Sequence, residues 1–163
     1  MYIHICTLRA AIQEANACPS GPHTITFDND YTISTTAGEL PPITANGTIL
    51  DGSGHNIAIQ WINTGGGYRG LEIQASNVLI RGLTISGYHD GIIIASGNNN
   101  VIGVVNNSGQ RNVIIDTIYG IEVNGGSGNR ISGNYIGLDT GGNQHGNQNG
   151  VNINSASTVV GTN

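Results

Sequence analysis

The sequence predicts an all-β chain wound as a right-handed parallel β-helix, a solenoid with one short capping α-helix at its N-terminal end. Three observations carry this. Four segments open alike, Gly70-Leu71-Glu72-Ile73, Gly91-Ile92-Ile93-Ile94, Gly120-Ile121-Glu122-Val123 and Gly150-Val151-Asn152-Ile153, at intervals of 21, 29 and 30 residues. Self-similarity at that period, with two or three very short strands per unit and no helix, is a solenoid signature. The composition agrees: 26 of 163 residues are Gly, Asn is abundant, and Ile, Val and Thr are plentiful, as in short strands joined by tight turns. The apolar period also changes once, from helical before residue 20 to alternating after residue 24.

The elements follow in order. Met1 to Ile5 reads as a cut end. Residues 7–17 form the cap helix: Leu8, Ala11, Ile12 and Ala15 fall on one face, Thr7 is the N-cap and Pro19 the stop. One amphipathic helix ahead of many strands has its apolar face free to plug the end of the coil. Residues 24–69 make the first coils. Thr24–Phe27, Tyr31–Ser34, Thr48–Leu50 and His55–Ile62 alternate, while Pro41-Pro42 confine Glu39–Ile43 to a strand edge or break, and Gly65-Gly66-Gly67 is a loop. Residues 70–163 make the regular coils, which start at Gly70, Gly91, Gly120 and Gly150. Each glycine-led strand is followed by a second (Val78–Gly82, Asn100–Gly103, Arg130–Gly133, Val159–Gly161) and, in three units, a third (Leu83–Ile85, Val113–Ile115, Tyr135–Gly137). Leucine-rich repeats need a Leu/Asn frame that is missing, and propeller blades need about 40 residues. Meandering hairpins are the competing topology, but they give no reason for a Gly-apolar-x-apolar motif at coil length. The whole chain, 1–163, reads as a single domain.

Composition excludes several functions. The formal net charge is −5, only 9% of residues are charged, and every basic side chain other than His is Arg. No basic stripe is available to phosphates, so nucleic acid is not an expected partner. No apolar run approaches the roughly 18 residues of a membrane span, and no signal peptide is visible. Cys6 and Cys18 bracket the helix. Twelve residues of continuous helix would hold them roughly 18 Å apart, against the roughly 7 Å limit for a disulfide. A bridge would require the chain to fold back; two separately buried thiols are the expectation.

Coil registration supplies the candidate site. The residues preceding the repeat glycines are Arg69, Asp90, Tyr119 and Asn149, so Arg69 and Asp90 should lie on neighbouring coils within ion-pair reach. With Tyr68, Tyr88 and His89 they would form an aromatic, charged patch along one edge. Aromatic faces stack on sugars and Arg pairs with uronate carboxylates, which suits a glycan or polysaccharide partner; the blander reading is an ion pair between rungs. Glu72 and Glu122 share a register with Ile93 between them. Asn124 and Asn154 share another and can form an Asn ladder. Asp28, Asp30 and Asp139 place oxygen ligands in turns and are weak Ca²⁺ candidates without a calcium-loop motif. No other cofactor is called for: the five His lack zinc spacing, and nucleophile elbows and phosphate loops are missing.

Two stretches resemble a known family. Cys6-Thr7-Leu8-Arg9-Ala10-Ala11-Ile12, followed by Ala15-Asn16-Ala17, resembles the CSLREA-type N-terminal motif of bacterial secreted and surface β-helix repeat proteins. That motif has Ser and Glu where Thr7 and Ala10 stand here, so its capping box is lost. Thr24–Asp28, Gly38–Ile43 and Ile49–Gly52 look like the first coils of such proteins. Arg111–Ile114 and Gly133–Thr140 are similar to their repeats, with Ile102-Gly103-Val104-Val105 in place of the usual Ile-Gly-Gly-Thr. The resemblance implies a secreted or cell-surface location, and a chain that is a segment of a longer protein, stopping in mid-coil at Val159-Val160-Gly161-Thr162. The favoured expectation is a structural or adhesive module, with homo-association through open β-helix ends. The alternative expectation is a carbohydrate-binding or lyase-like β-helix, with Arg69 as the anion contact and His89 as acid or base.

Overall fold

A computed structural model describes residues 6–18, 20–36, 38–62, 67–155 and 157–161. Met1–Ile5, the Pro19 stop, Gly65-Gly66 and Thr162 lie outside the described residues. The chain opens with α1 (Leu8–Ala17), followed by β1 (Thr24–Thr26) and β2 (Tyr31–Ser34). The next coil holds β3 (Ile49–Asp51) and β4 (Ile57–Gln60). After it come β5 (Arg69–Ile73), β6 (Leu79–Arg81) and β7 (Leu83–Ser86). Then come β8 (Asp90–Ile94), β9 (Val101–Ile102) and β10 (Val113–Ile115), and β11 (Tyr119–Val123), β12 (Arg130–Ile131) and β13 (Tyr135–Ile136). The last coil has β14 (Asn149–Ile153) and β15 (Val159–Val160).

Every pairing between these strands is parallel, and each strand pairs with its equivalent one coil away. Three sheets result, in the orders β1-β3-β6-β9-β12-β15, β2-β4-β7-β10-β13 and β5-β8-β11-β14. The chain is therefore a parallel β-solenoid, and the hairpin meander is excluded. Pro41 and Pro42 do keep their segment out of a strand, but Ile43 just after them bridges Ile73 in parallel and adds a rung above β5.

The register explains the core. Leu71, Ile92 and Ile121 stack above Val151; Ile73, Ile94 and Val123 stack above Ile153. Ile25, Leu50, Ile80, Ile102 and Ile131 form a second sheet's column, and Ile33, Ile59, Ile85, Ile114 and Ile136 the third's. Most are fully buried in one continuous cluster. Each such side chain removed from water contributes about 1.5–3 kcal/mol.

The repeat glycine has a steric cause. A Cβ on Gly91 would sit 2.6 Å from the Gly120 carbonyl oxygen, and one on Gly120 would sit 2.5 Å from that of Gly150. The motif thus records the close approach of successive coils.

The helix is where the pattern places it. Thr7 Oγ1 accepts from the Ala10 amide at 3.2 Å, so the N-cap works without the missing Glu. Leu8, Ile12 and Ala15 are buried against the first coil. Arg9 donates to the Gly38 carbonyl, and Asn16 Oδ1 accepts from the amides of Thr44 and Ala45. Cys6 and Cys18 are free, but both are exposed rather than buried. They flank the two ends of α1, outside the face that carries Leu8, Ile12 and Ala15.

Asp51 and Arg81 join adjacent rungs at 2.6 Å. Burial pushes the Asp51 carboxyl up, but hydrogen bonds from Arg81 and Ser53 outweigh it and hold the group below the ordinary carboxylate value. A carboxyl depressed in the fold adds stability above its unfolded pKa of about 4 and loses it as pH falls through the folded value. Melting temperature should therefore drop more steeply below about pH 4 in the wild type than in Asp51→Asn, as followed by circular dichroism across pH.

Candidate functional site

The predicted patch lies where the chain enters sheet β5-β8-β11-β14. Alternation slips there: in β5 both Gly70 and Leu71 are buried, so Arg69 and Glu72 emerge on the same outer face. Arg69 and Asp90 are register partners, as expected from the sequence. Their ion pair is not formed. Arg69 Nη1 instead donates to Glu72 Oε2 at 2.6 Å, which raises the Arg69 pKa further, and Asp90 Oδ1 lies 2.9 Å from His89 Nδ1. The slip that puts Glu72 beside Arg69 on one strand is the cause.

Tyr88 also departs from the patch. Its ring is buried, its hydroxyl hydrogen-bonds Thr35 Oγ1 at 2.7 Å, and burial pushes its pKa up. Tyr68 is exposed and stacks on Trp61, with ring centroids 4.0 Å apart and planes at 26°. The His89 ring packs against Tyr119 at 5.6 Å. The patch that forms is therefore Trp61, Tyr68, Arg69, His89 and Tyr119, with Asp90, expected in it, buried beside His89. Trp61 belongs to the alternating run His55–Ile62, which no glycine-led repeat registers; Tyr119 is registered, since it is the residue before Gly120.

Below this edge the outer face of the sheet is a hydrogen-bonded ladder. Glu72 Oε1 accepts from Gln74. Ile93 separates Glu72 from Glu122, as the spacing predicts. The Glu122 carboxylate accepts from Asn124 and from Asn152 on the next coil. Asn154 donates to Asn124 Oδ1 at 2.8 Å, so the expected Asn rung forms.

A second set of asparagines, unremarked in the sequence, is internal. Asn100, Asn112 and Asn129 have no exposed surface. Asn100 Oδ1 accepts from the Val78 amide, and Asn129 Oδ1 from the Asn100 amide. Asn112 accepts from Leu83 and donates to Ile80 and to Asn134 Oδ1. These side chains satisfy the backbone where each coil turns a corner.

The Ca²⁺ candidates do not converge. Asp28 accepts from the Tyr31 hydroxyl. Asp30 accepts from the amide and side chain of Asn56, which hold its carboxyl below the usual value. Asp139 is lowered likewise by the side chain and amide of Asn143, with the Gly141 amide adding to them. Among the described residues no group of three His, Cys, Asp or Glu is placed to hold a metal ion, and no helix is long and apolar enough to cross a membrane. A cavity of about 550 Å³ lies at the other end, between α1 and the first coil, lined by Leu8, Ala11, Ile25, Phe27 and Ile33 and by no residue of the patch. No protein-family model, curated protein or solved structure matches this chain.

Proposed function

We propose that this chain is a structural, adhesive solenoid module of a bacterial secreted or cell-surface protein, one that associates with its own kind. The observation that supports this best is the state of the sheet face. Glu72 is held by Arg69 and Gln74 on its own coil, and Glu122, Asn124, Asn152 and Asn154 bond one another within and between the last two rungs. A carboxylate engaged in this way is poorly placed to take a proton from a substrate or to activate water. The resemblance of the first coils to secreted β-helix repeat proteins supports the location. In assays with polygalacturonate and alginate, absorbance from unsaturated uronate should stay flat. Turnover that disappears in Arg69→Ala would overturn the reading.

A second reading, glycan binding without turnover, is favoured by one feature. The Trp61–Tyr68 stack presents an exposed aromatic ring. On a glycan array, any acidic-sugar binding should weaken about two- to tenfold in Tyr68→Ala, the scale of one lost aromatic contact. Equal binding by the variant would remove this reading.

A further inference from the structure

Trp61, Tyr68, Tyr88 and Tyr119 are four of the chain's eight aromatic residues, and all four lie along one edge of the solenoid. That edge is the corner where each coil passes from sheet β2-β4-β7-β10-β13 into sheet β5-β8-β11-β14. It belongs to coils that are paired on both sides, since Ile43 bridges Ile73 of β5 and β14 pairs with β11. Backbone bonds set the spacing of its side chains. The His89 amide donates to the Tyr68 carbonyl at 2.9 Å, and the Tyr119 amide to the His89 carbonyl at 2.8 Å. The three residues therefore stand on successive rungs, about 4.8 Å apart along the solenoid axis. Tyr68 is 38% exposed over Trp61, and the rings of His89 and Tyr119, 5.6 Å apart, are half-buried. Buried Tyr88, with its ring 6.5 Å from that of Trp61, backs the row from inside.

The same edge is acidic. Arg69 meets Glu72 at 2.6 Å, its amide donates to Glu39 Oε1, and Asp90 also acts on its charge. Further along, Asp116 and Asp139 flank His145 at 3.7 and 3.5 Å. Among the described residues, five carboxylates thus share the edge with one guanidinium. An anionic chain laid along it would be repelled, whereas an uncharged one would meet aromatic faces and hydrogen-bond acceptors.

We propose that this edge binds an extended, uncharged polysaccharide parallel to the solenoid axis, with successive sugar rings on Tyr68, His89 and Tyr119. This assignment rests on the glycan-binding reading and adds the ligand's charge, direction and length. One rung is close to the advance of one pyranose along an extended chain, so a straight glycan keeps step with the row. Sugar C–H faces stack on the rings, and hydroxyls donate to the lone pairs that the edge carboxylates retain. A row one ring wide suits a single chain rather than the broad patch of a protein partner.

On an array of cello-, xylo- and manno-oligosaccharides and oligogalacturonates of one to six units, a neutral series should bind. Affinity should rise about four- to a hundredfold from one unit to three, from two further ring contacts at about two- to tenfold each. In titration calorimetry with the tightest neutral glycan, Tyr119→Ala should lose about two- to tenfold, as Tyr68→Ala does. Tyr119→Phe, which keeps the ring, should bind as the wild type does, and circular dichroism should show all three variants folded. Binding of oligogalacturonates alone, single sugars bound as tightly as trisaccharides, or full affinity in Tyr119→Ala would overturn the axial site while leaving glycan binding itself standing. A chain that binds nothing on the array loses both.

Discussion

Replacing Gly91 with alanine should destabilise the chain by about 3 kcal/mol, lowering the melting temperature by about 6–12 °C. The added Cβ would lie 2.6 Å from the Gly120 carbonyl oxygen and 2.7 Å from Ile114 Cγ2. Neither can yield cheaply. The carbonyl belongs to the backbone of the next coil, and Ile114 is fully buried in the column beneath β7. To admit one methyl group, two rungs would have to separate along their length. Gly146→Ala is the control, since no atom lies within 4 Å of its added Cβ and its φ is not positive. It should stay within about 0.5 kcal/mol of the wild type. Thermal and denaturant melts of both variants test the steric account; equal stability would remove it.

Asn112→Ala should cost about as much, roughly 3 kcal/mol, for a different reason. Asn112 is fully buried, and its side chain accepts from the Leu83 amide at 3.1 Å while donating to the Ile80 carbonyl and to Asn134 Oδ1. Alanine leaves the Leu83 N–H without a partner and out of reach of water, and opens a small void. Asn112→Asp should do no better, because a carboxylate keeps the acceptor for Leu83 but loses both donors and buries a charge. The exposed rung gives the contrast. Asn154→Ala removes one hydrogen bond to Asn124 at the surface and should cost under about 0.5 kcal/mol. Urea melts of the three variants separate buried corner asparagines from surface ones.

Much of this architecture was legible because a solenoid repeats its constraints. Gly70, Gly91, Gly120 and Gly150 announce the coil period, since each close approach excludes a Cβ at the equivalent place. The alternation of Leu71 with Ile73, and of Ile121 with Val123, announces which side chains point inward. Pairing glycine to glycine then gave the register of Arg69 with Asp90, and of Asn124 with Asn154.

What stayed illegible depends on side-chain direction. Arg69 meets Glu72 because alternation slips at Gly70 and Leu71, and residue types do not reveal a slip. Tyr88 looked like an edge aromatic, yet Thr35 from an earlier coil supplies a buried hydroxyl partner that takes it inside. The corner asparagines were hidden by abundance: in a chain rich in Asn, nothing local separates Asn112, which holds a buried backbone amide, from Asn154, which faces solvent. Cys6 and Cys18 are exposed although a free thiol is usually buried, because they lie just beyond the ends of the packed helix.

The parallel register of the glycine-led strands is the claim on which the core and the patch both rest. Nuclear Overhauser contacts across β8, β11 and β14 test it most directly. Ile121 should show backbone contacts to Ile92 and to Val151, its partners on the coils before and after. Backbone contacts that instead join β11 to β10 or β12, in the crossed pattern of antiparallel neighbours, would contradict the account.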